Sequence, residues 1–176
     1  MKNIVLIGFM GTGKTSTGCV LAQRLGAAFL DLDAEIEKAY GMSIPDMFAQ
    51  KGEAYFRRCE HDMVEKAAAR QNAVISTGGG TVKDPENMKA LRERGVIVCL
   101  KADVDTILVR TASKGDRPVL DKEDQGDRRR AVEKLIDERR ELYKQADFSV
   151  DTSKLSPLQV VDEILHHLKT RGVLHA

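Results

Sequence analysis

The sequence predicts an α/β fold, a parallel sheet with helices on both faces, and three observations predict it. Five short runs rich in apolar and β-branched residues alternate with longer stretches of helical periodicity. The runs are apolar at nearly every position, as in Val96-Ile97-Val98-Cys99-Leu100, which marks strands buried on both sides. The first run leads straight into Gly8-Phe9-Met10-Gly11-Thr12-Gly13-Lys14-Thr15, a glycine-rich turn that opens a helix.

Taken in order, the strands are expected at Asn3–Ile7, Ala28–Leu30, Ala73–Ser76, Val96–Leu100 and Phe148–Val150. The first helix runs from Lys14 to Leu25 with Val20, Leu21 and Leu25 at helical spacing, and Gly26 is a natural stop. Phe56-Arg57-Arg58-Cys59-Glu60 lies in a further helical stretch. Asp84-Pro85-Glu86 supplies an N-cap, a proline at the first helical position and an early acid ahead of Met88 and Leu91. A helix is expected over Asp103–Ser113, and Ser156-Pro157 starts the last one, with Val160, Val161, Ile164, Leu165 and Leu168 on one face. The stretch from Ser113 to Asp127 is polar and charged and holds two glycines, so it reads as a mobile excursion, not a domain boundary.

Bulk properties narrow the function classes. A length of 176 residues with 42% apolar and 31% charged residues suits one domain, 1–176, around one main core. A net charge of +1 gives no basic field for nucleic acid or an anionic membrane, and the charged run through Arg128-Arg129-Arg130 reads as a solvated helix junction. No apolar stretch approaches the ~20 residues that span a bilayer, and Met1-Lys2-Asn3-Ile4 carries no signal-peptide pattern. Cys19, Cys59 and Cys99 are odd in number and widely spaced, which fits reduced thiols in a cytoplasmic protein better than a disulfide framework or a zinc site.

Four motifs carry chemistry. Gly8 to Thr15 matches the phosphate-binding loop G-x-x-x-x-G-K-[ST] between a strand and a helix. Its backbone N–H groups, over Gly11, Thr12, Gly13, Lys14, Thr15 and Ser16, would cradle the phosphates of ATP. Lys14 would reach the β- and γ-phosphates, and the Thr15 hydroxyl would ligate Mg²⁺. Asp31-Leu32-Asp33 follows the second strand, and in extended chain both carboxylates would share a face with Leu32 turned to the core. One acid could hold Mg²⁺ through water while the other orients or deprotonates a hydroxyl; alternatively, Asp33 simply caps the next helix. Arg57 and Glu60 are three apart on one helix face; spacing alone favours a surface pair over a fork for a carboxylate. Gly78-Gly79-Gly80 follows the third strand, and three glycines together suggest that a ligand or another segment approaches the main chain closely.

The succession of phosphate loop, Asp-x-Asp, Phe-Arg-x-x-Glu, Gly-Gly-Gly, Arg117-Pro118 and a late arginine before Leu142-Tyr143 resembles shikimate kinase, from Asn3 to the last helix. That resemblance implies a three-layer P-loop fold of the nucleoside-monophosphate-kinase type with a five-stranded parallel sheet. It also implies a lid over about 113–127 and a substrate-binding helical segment over about 33–61. It implies transfer of the ATP γ-phosphate to the 3-hydroxyl of shikimate, with Mg²⁺ as cofactor, on the route to aromatic amino acids. By resemblance, Asp33 assists the hydroxyl and Asp31 positions the metal's water shell. Arg57 and Arg139 would clamp the substrate carboxylate, with Arg140 the competitor for the second place, and Gly79 and Gly80 would touch the substrate. Arg117 corresponds to the lid arginine and Arg110 to the adenine-packing arginine. The expected protein is a cytoplasmic monomer that binds ATP and shikimate. A gluconate kinase of the same fold, or a nucleotide-binding regulator without turnover, are the rival readings.

Overall fold

The computed structural model describes residues 1–112 and 127–174. Five strands, β1 (Asn3–Ile7), β2 (Ala28–Asp31), β3 (Ala73–Ser76), β4 (Gly95–Lys101) and β5 (Phe148–Asp151), pair in the order β2-β3-β1-β4-β5. Every pairing is parallel. Eight α-helices are described: α1 (Lys14–Leu25), α2 (Leu32–Tyr40), α3 (Ile44–Lys51), α4 (Glu53–Ala68), α5 (Pro85–Glu93), α6 (Val104–Arg110), α7 (Arg128–Tyr143) and α8 (Pro157–Thr170).

Alternation along β1 shows how the layers form. Ile4 and Leu6 join Val74, Val96 and Val98 under α1 and α8, which contribute Leu21, Val160, Ile164 and Leu168. Val5 and Ile7 join Ile75, Ile97 and Cys99 on the other face, against Val64 of α4, Leu91 of α5 and Val132 of α7. Both faces of the central strands are therefore covered, and each fully buried aliphatic side chain contributes roughly 1.5–3 kcal/mol. The expected three-layer α/β/α arrangement with a five-stranded parallel sheet is the one found.

Local signals place the helix ends. Ser156 and Gln159 form a reciprocal capping box at α8, Asp84 caps α5 by accepting from Glu86 N–H at 2.9 Å, and Gly26 ends α1. Several bounds differ from expectation: β4 gains a residue at each end, to Gly95–Lys101, and β5 ends at Asp151. Strand β2 runs one residue further, to Asp31, because its ladder with β3 continues to Ser76. Helix α6 stops at Arg110 instead of reaching Ser113, with Thr111 turning its hydroxyl back onto the Ile107 carbonyl at 2.7 Å. The expected lid over about 113–127, Arg117 included, lies outside the described residues except for Asp127. Among the described residues no helix is long and apolar enough to cross a membrane, and all three cysteines are free thiols, Cys59 and Cys99 buried.

Candidate active site

The strand order sets the site. With β3 between β2 and β1, the acid pair, the glycine triplet and the phosphate loop emerge side by side from one carboxyl edge of the sheet, where open α/β sheets bind ligands. These groups line a cleft of about 780 Å³.

The phosphate loop leaves β1 and closes at Gly13, the N-cap of α1, whose φ of 96° lies in the left-handed region that favours glycine. The first turn of α1 thereby presents its free N–H groups to the cleft. Lys14 lies across the loop, its Nζ donating to the carbonyls of Gly8 at 2.8 Å and Phe9 at 2.9 Å. Burial lowers its pKa to about 8, against the opposing pull of the Asp33 carboxylate. The loop is braced from β5 by Thr152, which is 2% exposed and donates to the Thr12 carbonyl at 2.8 Å. Arg110 joins this brace, donating to the Gly11 carbonyl at 3.2 Å and to Thr152. A lone threonine after a strand carries no motif, so nothing in the sequence marks Thr152.

The two acids divide their work differently from the expectation of a shared extended segment. Only Asp31 belongs to the strand. Its Oδ1 caps α2 by accepting from Ala34 N–H at 3.3 Å, and its Oδ2 accepts from the Thr15 hydroxyl at 2.9 Å. Asp31 rather than Asp33 is thus the helix cap. Leu32 turns into the core at 1% exposure, as expected. Asp33 sits in the first turn of α2 and faces the cleft. Its carboxyl is raised to about 6, first by desolvation among the protein atoms that ring it, then by the anions of Asp31 and Glu60, with Lys14 opposing.

On the far wall stands Arg57 of α4. Its Nη1 donates to Glu60 Oε1 at 3.0 Å and its Nη2 to Glu53 Oε1 at 3.3 Å. Glu60 is 2% exposed, which excludes the surface pair that the spacing favoured. Among the described residues, the buried Arg57 Nε has no hydrogen-bond partner. The guanidinium lies flat against Gly80, where a Cβ would come within 2.7 Å of both terminal nitrogens. One partner that the glycine triplet admits is therefore this arginine.

Helix α7 brings in Arg139, 4% exposed, with Nη1 donating to the Gly79 carbonyl at 3.0 Å and the guanidinium 5.5 Å from the centre of the Phe9 ring. Arg140 points away, pairing with Asp137 at 2.6 Å on the exposed face. Tyr143 also donates to the Gly79 carbonyl, at 3.1 Å, and burial pushes its phenol up to about 12, keeping it a donor. In the sequence, Tyr143 carries no motif of its own beyond its place after the late arginine. The apolar side of the cleft comes from Ile44, Pro45 and Phe48 at α3, a helix within the expected substrate-binding segment of about 33–61 whose residues bear no motif.

Thr15 and Asp31 form a pair of hard oxygen donors at the mouth of the phosphate loop. Among the described residues no cluster of three or more His, Cys, Asp or Glu could cage a metal. The donor set suits Mg²⁺, which keeps most of its waters and is shared with substrate phosphates.

Known proteins resemble this chain over nearly its whole length. The family model for shikimate kinase matches residues 10–169. The shikimate kinase of Pelotomaculum thermopropionicum is 48% identical over 174 residues, covering 99% of this chain and 99% of that one. A shikimate kinase from Acinetobacter baumannii, solved in complex with shikimate, superposes with a TM-score of 0.92 at 33% identity, over 97% of this chain and 94% of that one. A gluconokinase from Sinorhizobium meliloti, with a TM-score of 0.63 at 18% identity over 96% and 92%, shares the fold alone.

Proposed function

The chain belongs to the shikimate kinase family, and from that premise we propose that it transfers the γ-phosphate of ATP to the 3-hydroxyl of shikimate. The observation that carries the reading is the pair of arginines, Arg57 and Arg139, flanking the glycine turn in the same cleft as Lys14 and Asp33. A ring acid needs just this: cations for its carboxylate at one end and a carboxylate for its reacting hydroxyl at the other.

Chemistry follows from the placement of charge. Phosphoryl transfer spreads negative charge over the γ-phosphate, so positioning and fixed cations lower the barrier. Lys14, freed from the loop carbonyls when phosphates take their place, supplies one such cation. Asp33 accepts a hydrogen bond from the acceptor hydroxyl and takes its proton as the bond to phosphorus forms. Arg57 and Arg139 fix the acceptor carboxylate, which holds the reacting oxygen in line. Ile44, Pro45 and Phe48 offer apolar surface to the ring, and Arg110 offers a planar face to the adenine. Thr15 and, through water, Asp31 would hold Mg²⁺, which would supply charge neutralisation for the triphosphate. The free thiols of Cys59 and Cys99 support a cytoplasmic setting.

A coupled assay of ADP release with shikimate or gluconate offered separately tests the reading. Turnover with shikimate is expected; phosphorylation of gluconate alone would end it.

A further inference from the structure

We propose that Thr81 is a positioning residue for recognition of the acceptor carboxylate, acting through Glu60 on Arg57. The inference rests on the reading that Arg57 binds that carboxylate. Thr81 directly follows the glycine triplet, opens a short 3₁₀ turn (Thr81–Lys83), and is fully buried at 0% exposure.

Hydrogen bonds hold Thr81 at its N–H, its carbonyl and its hydroxyl. Its N–H donates to the Gly78 carbonyl at 3.2 Å, which ties it to the turn. Its carbonyl accepts from Asn87 Nδ2 at 3.1 Å, and Asn87 is itself 1% exposed and 2.8 Å from the His61 ring through Oδ1. Its hydroxyl donates to Glu60 Oε2 at 3.0 Å. The carboxylate of Glu60 is thus committed at both oxygens, Oε1 to Arg57 and Oε2 to Thr81.

The commitment has a physical consequence. The last torsion of a glutamate is broad, so a carboxylate held at one oxygen can turn about it. Held at both, its plane is fixed, and with it the plane of the guanidinium that lies against Gly80. Glu60 also borders Asp33, whose carboxyl it pushes upward. The neutral hydroxyl of Thr81 satisfies the second oxygen without adding charge beside that base. Removing the hydroxyl leaves a buried anion short of a donor and lets the arginine drift from the carboxylate-binding pose.

The test compares Thr81→Val and Thr81→Ser with the wild type, measuring kcat and the separate KM values for shikimate and ATP by coupled ADP release. Thr81→Val, equal in volume but without the donor, is expected to raise the shikimate KM roughly tenfold, the effect of a lost hydrogen bond to a buried charge, with the ATP KM unchanged. Thr81→Ser, which restores the hydroxyl, is expected to behave as wild type. A shikimate KM unmoved by Thr81→Val overturns the proposal. So does a parallel rise in both KM values, the sign of a general structural role, or a serine variant as impaired as the valine one. Should Thr81→Val lose its thermal unfolding transition, Thr81→Ala removes the same donor without a methyl against the carboxylate, and the same split is required of it. A wild type that shows no shikimate-dependent ADP release overturns the functional reading itself; an active wild type with an indifferent valine variant overturns this inference alone.

Discussion

The Thr15 hydroxyl donates to Oδ2 of Asp31 at 2.9 Å while Oδ1 of the same carboxylate caps α2. One side chain therefore serves the cleft with one oxygen and a helix with the other, and two substitutions separate the roles. Asp31→Asn keeps a cap acceptor and removes the charge. It should raise the Mg²⁺ concentration needed for half-maximal rate and leave the unfolding midpoint in place. Asp31→Ala should do the same and also lower stability by about 0.5–2 kcal/mol. Mg²⁺ titrations of the rate paired with thermal unfolding check both; an asparagine variant as unstable as the alanine one would contradict the division.

Asp33, raised to about 6, and Lys14, lowered to about 8, set a pH window. Asp33 works as the anion, so kcat/KM for shikimate should rise with pH through about 6. Lys14 works as the cation, so it should fall as pH passes about 8. The two charges feel each other, and the limbs belong to the pair. Asp33→Asn should cut kcat by about 10²–10⁴ with ATP affinity nearly intact. In its residual activity the acidic limb should vanish. The alkaline limb should move to lower pH, because Lys14 loses the anion that most supports its charge. An alkaline limb that stays put would place Lys14 and Asp33 out of contact.

Neighbouring arginines on α7 should differ sharply. Arg139→Ala removes a buried cation held on the Gly79 carbonyl and should weaken shikimate binding by about 2–5 kcal/mol. Arg140→Ala removes an exposed partner of Asp137 and should change binding by less than about 0.5 kcal/mol. Shikimate titrations of both variants measure this, and equal losses would refute the assignment.

Gly80→Ala isolates the contact between the glycine turn and Arg57. The φ of Gly80 is −103°, which alanine adopts, so the backbone tolerates the change. The new Cβ instead meets the far end of Arg57, which can move aside. The fold should survive, with the unfolding midpoint near wild type, while the shikimate KM rises between about ten- and a hundredfold through misplacement of the guanidinium. A KM at the wild-type value would show that the pose of Arg57 does not matter.

Which site features could be read in advance follows from the range of the forces involved. The phosphate loop was legible because its function needs particular backbone conformations, and only glycines at set positions supply them. The pairing of Arg57 with Glu60 was visible as a spacing, but its value was not. Helical periodicity places both on one face and cannot tell that Thr81 and the glycine turn bury Glu60. The roles of Asp31 and Asp33 were blurred because the Asp-x-Asp spacing does not say where the strand stops. Thr152 left no trace, because its hydroxyl serves a loop carbonyl 140 residues away, and which side chains of the 33–61 segment face the cleft is set by packing.

By itself, the sequence determined the α/β class, the places of the five strands to within a residue, the extent of α1 and the starts of α5 and α8, and the presence of a triphosphate loop. These depend on hydrophobic period, caps and turn residues, which act over a few residues along the chain. The tertiary structure alone decided that β3 lies between β2 and β1, and that Arg139 reaches the Gly79 carbonyl across a separation of 60 residues. It also decided that Arg139 and not Arg140 faces the cleft, and that Glu60 holds Arg57 from a buried position. Such contacts are set by how two packed faces share one sheet, and no local propensity encodes them.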